Sequence, residues 1–302
     1  RENIEVLNGV NITDYIVKDS KVIGAYGFSI KENIFYVIYS KATICATGGA
    51  AGIYKPNNAG FSRHKMWYSP FNTGAGYAMG IRAGAEMTTF EMRFIALRCK
   101  DTIAPTGTIA QGIRTPQING SGDTYVRKYG NPTTINRLHS TLMENMQGLG
   151  PCYLKTQGIS EEQEMDLLKA YLNMAPSQTL KWVENNTSPS TENVEIDGTE
   201  PYIVGGHTAS GYWVDRNRKS TLEGLYAAGD VTGGSPKKYV TGCFVEGEIA
   251  SEDALEYIKK QQLETLADSE INSKLEELNK FFLNEEVSMS IEDLEKEMQT
   301  IM

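Results

Sequence analysis

The sequence predicts an α/β chain, α+β over its whole length, and three observations carry that prediction. Short β-branched runs occur in two separate stretches on either side of a middle part rich in Gly, Pro, Thr and Asn. Each flank contains a strand-like run ending in glycine, Ala42-Thr43-Ile44-Cys45-Ala46 before Thr47-Gly48-Gly49 and Leu225-Tyr226-Ala227-Ala228 before Gly229-Asp230. The tail then changes to a helical period, with Ile271, Leu275, Leu278 and Phe282 followed by Ile291, Leu294, Met298 and Ile301. A domain interrupted by an insertion, with helices after it, accounts for that order.

The first elements are short strands. Ile4–Leu7, Val22–Ala25 and Ile34–Tyr39 are separated by Asn, Gly and Asp, and predict a small sheet with tight turns. Residues 42–46, apolar at every other position and between, predict a strand buried on both faces. Thr73-Gly74-Ala75-Gly76 opens a predicted helix to Ala85, with Tyr77, Ile81 and Ala85 as its stripe. Thr88–Ile95 is again strand-like, and residues 100–158 predict a loop-rich module. Ser160 and Gln163 form a capping box, with Met165, Leu168 and Leu172 as the expected apolar face of a helix ending at Pro176. Glu184–Thr199 is polar enough to predict a linker, and Tyr202–Gly206 returns to strand.

With 302 residues and 40% hydrophobic content the chain can bury a large core, which excludes disorder and a minimal disulfide scaffold. The net charge of −9 argues against nucleic acid or an anionic membrane as partner and favours small molecules and proteins. Cys45, Cys99, Cys152 and Cys243 contain no C-x-x-C pair, so neither a metal knuckle nor an iron–sulphur run is expected, and the thiols are expected to be reduced. Without an apolar run of membrane length or a signal peptide, the expected compartment is the cytoplasm. The chain opens at Arg1 in strand-like text, which predicts that it is part of a longer polypeptide.

The two glycine-ended strands point to a ligand, because ligands of open α/β sheets sit at the carboxyl ends of strands and a terminal acid such as Asp230 accepts hydrogen bonds from hydroxyls. In their order, the Ala46-Thr47-Gly48-Gly49 turn, the Thr73-Gly74-Ala75-Gly76 helix start and the Tyr226–Asp230 motif resemble the succinate dehydrogenase/fumarate reductase flavoprotein superfamily. The resemblance implies FAD bound noncovalently, a Rossmann-like FAD-binding domain interrupted by a capping domain, and a helical domain behind it. Expected boundaries are 1–89 for the first FAD-binding part, 90–200 for the cap, 201–256 for the returning FAD-binding segment and 257–302 for the start of the helical domain. The implied cofactor-binding residues are Thr47, Gly48, Gly49, Trp67, Thr73, Gly74, Gly76, Gly229, Asp230 and Glu246. Gly242–Gly247 resembles the helix start whose backbone N–H groups face the flavin in this superfamily. The G-x-G-x-x-G fingerprint for the pyrophosphate is absent from these residues and is expected upstream of Arg1.

Within the superfamily, the dicarboxylate enzymes carry a substrate-binding His where Ala96 stands and an Arg where Lys238 stands. Glu91-x-Arg93-Phe94, Arg98-x-Lys100-Asp101, Gly206-His207-Thr208 and Lys238-Tyr239-x-Thr241-Gly242 instead resemble the adenylylsulfate (APS) reductase alpha subunit. That resemblance implies reversible reduction of APS to AMP and sulfite through an adduct of sulfite at flavin N5, with an iron–sulphur beta subunit as electron partner. Arg93 is implied to hold sulfonyl oxygens, since guanidinium supplies paired donors, and His207 to meet charge on the departing phosphate. Arg98, Lys155 and Lys238 are implied substrate-binding cations; the family has Arg where Lys155 stands, which leaves another anion open as the substrate. The alternative is a fumarate reductase/succinate dehydrogenase-type enzyme acting on a dicarboxylate. A third reading is a non-catalytic partner-binding remnant.

Overall fold

The first three strands, β1 (Val10–Lys18), β2 (Lys21–Ser29) and β3 (Ile34–Tyr39), form an antiparallel meander. The β1–β2 hairpin closes on a two-residue loop in which Asp19 and Ser20 have φ of 49° and 64°, the left-handed pair that matches the twist of the strands. Gly24 lets β2 approach β3, because a Cβ there would lie 2.0 Å from the Ile38 carbonyl oxygen. Ile16, Ile23 and Tyr26 make the buried face, with Tyr26 stacked on Phe35 at 5.7 Å. The strand expected at Ile4–Leu7 does not form: Ile4 and Val6 are 72% and 69% exposed, and pairing begins at Val10. The computed structural model describes residues 3–29, 31–55, 69, 71–91, 96–199, 203–204, 208–234, 240–283 and 289–302.

Contacts group the chain into two units, one from Arg1–Lys55, Tyr68–Arg93 and Ile203–Met302, the other centred on Phe94–Tyr202. In the first, β4 (Thr43–Cys45) pairs in parallel with β11 (Leu225–Ala227), and β5 (Ala50–Ala51) pairs antiparallel with β10 (Ile203–Val204). β11 is wholly buried, but Ile44 on β4 is 40% exposed, so β4 is not covered on both faces as expected. Helix α1 (Ala75–Ala83) buries Tyr77 while Ile81 is exposed, so the expected stripe is only half inward. The long α5 (Val240–Ile258) packs Ala250 and Ala254 against Tyr226 and Ala228. The tail forms α6 (Asp268–Leu283) and α7 (Ile291–Ile301), as its period predicts. Among the described residues, no helix is long and apolar enough to cross a membrane.

The second unit is an antiparallel sheet in the order β6 (Ala96–Cys99), β9 (Val194–Thr199), β8 (Cys152–Leu154), β7 (Gln117–Ile118). Helices α2 (Thr134–Met146), α3 (Glu161–Met174) and α4 (Pro176–Glu184) accompany it. Three expectations are corrected here. The strand begins at Ala96 rather than Thr88, residues 88–91 being irregular and 92–95 lying outside the described set. The supposed linker ends in β9, an inner strand, whose alternation buries Val194 and Ile196. The loop-rich middle contains α2, which starts at an N-cap where the Thr133 hydroxyl accepts the Asn136 N–H.

The Ser160 capping box forms, but α3 turns a different face inward. Leu167 and Tyr171 are 2% and 0% exposed, whereas Met165 and Leu172 are 51% and 61% exposed. Tyr171 meets Trp182 of α4 edge-on at 5.6 Å, which ties both helices to the core of Cys99, Leu154 and Ile196. All four cysteines are free thiols. Burial pushes Cys99 up to about 12, so it stays protonated.

Candidate functional site

The parallel register of β4 and β11 sets Cys45 opposite Ala227, and the Ala228 N–H donates to the Cys45 carbonyl at 2.9 Å, so both strands end at one level. Beyond that level each chain turns on a left-handed glycine, Gly48 at φ 75° and Gly229 at φ 78°. A side chain at either position would be strained. The Thr47-Gly48-Gly49 turn is strapped by Asn72, whose amide donates to the Thr47 carbonyl at 3.1 Å and to the Gly49 carbonyl.

Helix α1 enters from the same side. Gly76 in its first turn lies so close to Thr47 that a Cβ would sit 2.0 Å from the Thr47 Oγ1. Tyr77 donates its hydroxyl to the Asp230 carbonyl at 3.1 Å and so joins α1 to the end of β11. Burial, with the Asp230 charge next in weight, raises the Tyr77 phenol well above its ordinary range and keeps it a donor. Gly74 and Gly76 are buried, and Thr73 is exposed at the helix mouth.

Glu246 of α5 is 5% exposed, and its carboxylate is spent on protein groups. It accepts the Gly229 N–H at 2.8 Å and the Thr232 hydroxyl at 3.0 Å, and lies 3.6 Å from the Arg218 Nε. It therefore positions the β11 turn from behind. Asp230 is half-buried, with the Cys243 thiol 3.7 Å from its Oδ1. Burial and then the Asp230 charge raise the Cys243 pKa, so this thiol at the start of α5 is not an activated nucleophile.

The described cofactor residues named from sequence, Thr47, Gly48, Gly49, Thr73, Gly74, Gly76, Gly229, Asp230 and Glu246, thus meet around the ends of β4 and β11 and the start of α1. The chemistry fits a polyhydroxylated dinucleotide. A carboxylate and an exposed threonine hydroxyl supply acceptors for sugar and ribityl hydroxyls, and the glycine turns leave backbone open to close approach. Asn72, Tyr77, Arg218 and Thr232 complete the frame and were not singled out from sequence as site residues.

In the other unit Arg98 is 7% exposed on β6, opposite Asp197 of β9, with Nη1 donating to the Leu97 carbonyl at 3.1 Å. Lys155 is exposed just past β8, its N–H held by the Pro116 carbonyl at 3.0 Å. These two cations stand on different strands and at different levels of the sheet, since β8 leaves the register opposite Val194. Trp67, Arg93, His207 and Lys238 lie outside the described residues. Among the described residues no His, Cys, Asp and Glu cluster fits a metal ion.

A family model described as FAD binding domain matches residues 1–243. The chain is 29% identical over 287 residues to the adenylylsulfate reductase subunit alpha of Megalodesulfovibrio gigas, covering 79% of this chain and 43% of that protein. Its fold superimposes on the adenylylsulfate reductase of Archaeoglobus fulgidus with a TM-score of 0.79 at 28% identity, covering 97% of this chain and 55% of that one. Against E. coli quinol fumarate reductase the TM-score is 0.74 at 18% identity, over 96% and 52% of the two chains, a likeness of fold. The chain spans about half the length of these relatives. With the strand ends, the glycine turns and Asp230 arranged as a dinucleotide cradle, the chain belongs to the FAD binding domain family, a family of FAD-dependent oxidoreductases.

Proposed function

We propose that this chain provides flavin- and substrate-binding parts of an APS-reductase-like oxidoreductase, which interconverts APS with AMP and sulfite. The observation that carries the reading is Ala96. It is 5% exposed at the start of β6, two residues before the buried Arg98, where the dicarboxylate enzymes resembled above place a substrate-binding His. A methyl group there cannot hold a carboxylate, and the identity to the APS reductase alpha subunit supports the same choice. The expected division at 89, 200 and 256 belongs to this proposal.

Bound FAD supplies the two-electron transfer. The chain's own residues bind and orient. Asp230 accepts hydrogen bonds from flavin-chain hydroxyls, while Glu246 and Tyr77 hold the Asp230 turn in place. Arg98 and Lys155 carry positive charge toward the substrate anion, with Arg93 and Lys238 proposed to share that load. His207 is proposed to give a proton or a hydrogen bond to the departing AMP phosphate, and Trp67 to line the flavin. An iron–sulphur beta subunit is the proposed electron partner.

The test is reaction of the full-length, FAD-loaded protein with sulfite, with and without AMP, followed by flavin absorbance and ferricyanide reduction. AMP-dependent electron transfer from sulfite is the expected result. Turnover of fumarate without any response to sulfite would replace the reading with a dicarboxylate one.

A further inference from the structure

The turn from Asp215 to Lys219 is clasped along one face of α5. Asp253, seven positions after Glu246 and so on the same face of that helix, accepts the Asn217 amide at 2.9 Å and pairs with the Lys219 ammonium at 2.9 Å. Arg218 stands between them and reaches Glu246 instead, with its Nε 3.6 Å from Oε1. We infer that Arg218 is a positioning residue for FAD that acts through Glu246: its charge offsets the carboxylate behind the Gly229 turn and so raises the reduction potential of the flavin. FAD in the cradle is enough for this, whichever anion is the substrate.

The backbone gives the first observation. Arg218 has a φ of 67°, a left-handed conformation that a side chain seldom adopts and that glycine or asparagine normally fills in such a turn. The turn has its own hydrogen bonds. The Asp215 carboxylate accepts the N–H groups of Asn217 and Lys219 at 2.8 and 2.9 Å, and the Arg218 N–H donates to the Asp215 carbonyl at 3.1 Å. The Ala227 N–H donates to the Arg218 carbonyl at 3.0 Å, which ties this turn to β11. An arginine where glycine would sit without strain points to a use for its side chain.

The side chain gives the second. Nη1 donates to the Asp215 and Arg216 carbonyls at 3.2 and 3.4 Å, both neutral acceptors, and Nε is buried without a hydrogen-bond partner. Among the described residues, Glu246 is the acid that Arg218 pairs with. The other carboxylate oxygen, Oε2, accepts the Gly229 N–H and the Thr232 hydroxyl, so Arg218 contributes charge without displacing the bonds that shape the flavin turn.

At 5% exposure the Glu246 charge is poorly screened by water, and a cation 3.6 Å away governs how much negative potential reaches the cradle. A flavin gains negative charge on reduction. The carboxylate without Arg218 therefore opposes reduction, and the pair does so far less.

The experiment is a spectroelectrochemical titration of the full-length, FAD-loaded protein at about pH 8, where carboxylates are ionised. Arg218→Asn removes the charge and suits the left-handed backbone, and is expected to lower the flavin potential. Glu246→Gln keeps an oxygen for the Gly229 N–H and is expected to raise it. The double variant is expected to lie between the two, near the parent. Lys219→Gln removes a charge from the same turn that pairs with Asp253, and is expected to leave the potential where it is. Single variants that shift in the same direction would mark a structural loss and overturn the proposal, as would an Arg218→Asn potential equal to the parent's. A Lys219→Gln shift as large as that of Arg218→Asn would overturn it too, since net charge and not the pair would then set the potential. Should Arg218→Asn fail to retain FAD, a Glu246→Gln potential at or below the parent's overturns it.

Discussion

The carboxylate of Glu246 and the backbone N–H of Gly229 are joined by a 2.8 Å hydrogen bond, so a side chain on α5 fixes the turn at the end of β11. Thr232 shares the same carboxylate oxygen at 3.0 Å. Glu246→Ala removes the acceptor of the Gly229 N–H and one of the two acceptors of the Thr232 hydroxyl, which also reaches the Gly229 carbonyl at 2.8 Å, a loss of about 1–3 kcal/mol. Because the turn carries Asp230, the variant should release FAD faster as well as melt earlier. Flavin fluorescence on dilution measures the first effect, and unchanged release would show that the turn holds its shape without Glu246.

Gly76→Ala forces a Cβ to within 2.0 Å of the Thr47 Oγ1. Either α1 or the Thr47 turn must move, at a cost of about 1–3 kcal/mol. Thr47→Gly in the same chain should recover most of that loss, because it removes all three atoms in the clash. Urea midpoints of the two single variants and the double variant supply the comparison.

Glu144 makes stability depend on acid. Burial by itself would raise its pKa, but hydrogen bonds from Tyr129, Asn119 and Lys128 outweigh it and hold the carboxyl below its ordinary 4.5. A carboxyl depressed in the folded state stabilises above its unfolded pKa and loses that contribution as pH falls through the folded one. Glu144→Gln should therefore be less stable than the parent at neutral pH, and the two should converge as pH falls below 4.5 and through the lowered folded-state value. Urea midpoints that keep the same separation throughout the acid range would contradict the assignment.

On α3, Leu167→Ala removes a side chain 2% exposed and should cost about 2–5 kcal/mol. Met165→Ala, at 51% exposure, should stay within about 0.5 kcal/mol. Equal costs in thermal unfolding would mean that the helix face is wrongly assigned.

The glycine-ended strands were legible because a glycine turn and a terminal acid are local features, and the tail helices because their apolar period runs for several turns. The face of α3 was not, since Met165, Leu168 and Leu172 repeat as regularly as Leu167 and Tyr171, and only the Trp182 contact decides between them. α2 was missed for a related reason. It buries Ser140, Thr141 and Glu144, and a polar face turns inward only when partners such as Gln117 and Asn119 are supplied from elsewhere. In the cradle, Asn72 and Tyr77 act on backbone carbonyls 25 and 153 positions away, a relationship that no spacing along the chain encodes.

The parallel pairing of Cys45 with Ala227 also has a meaning in time. A ribosome adding about 5–20 residues per second needs roughly 10 to 40 s to travel from one strand to the other. Throughout that interval β4 has no β11 beside it, and the whole second unit is synthesised in between. The cradle therefore closes only after the second unit has been made, so a chain halted between residues 203 and 224 has its second unit complete while the β11 turn is still unwritten.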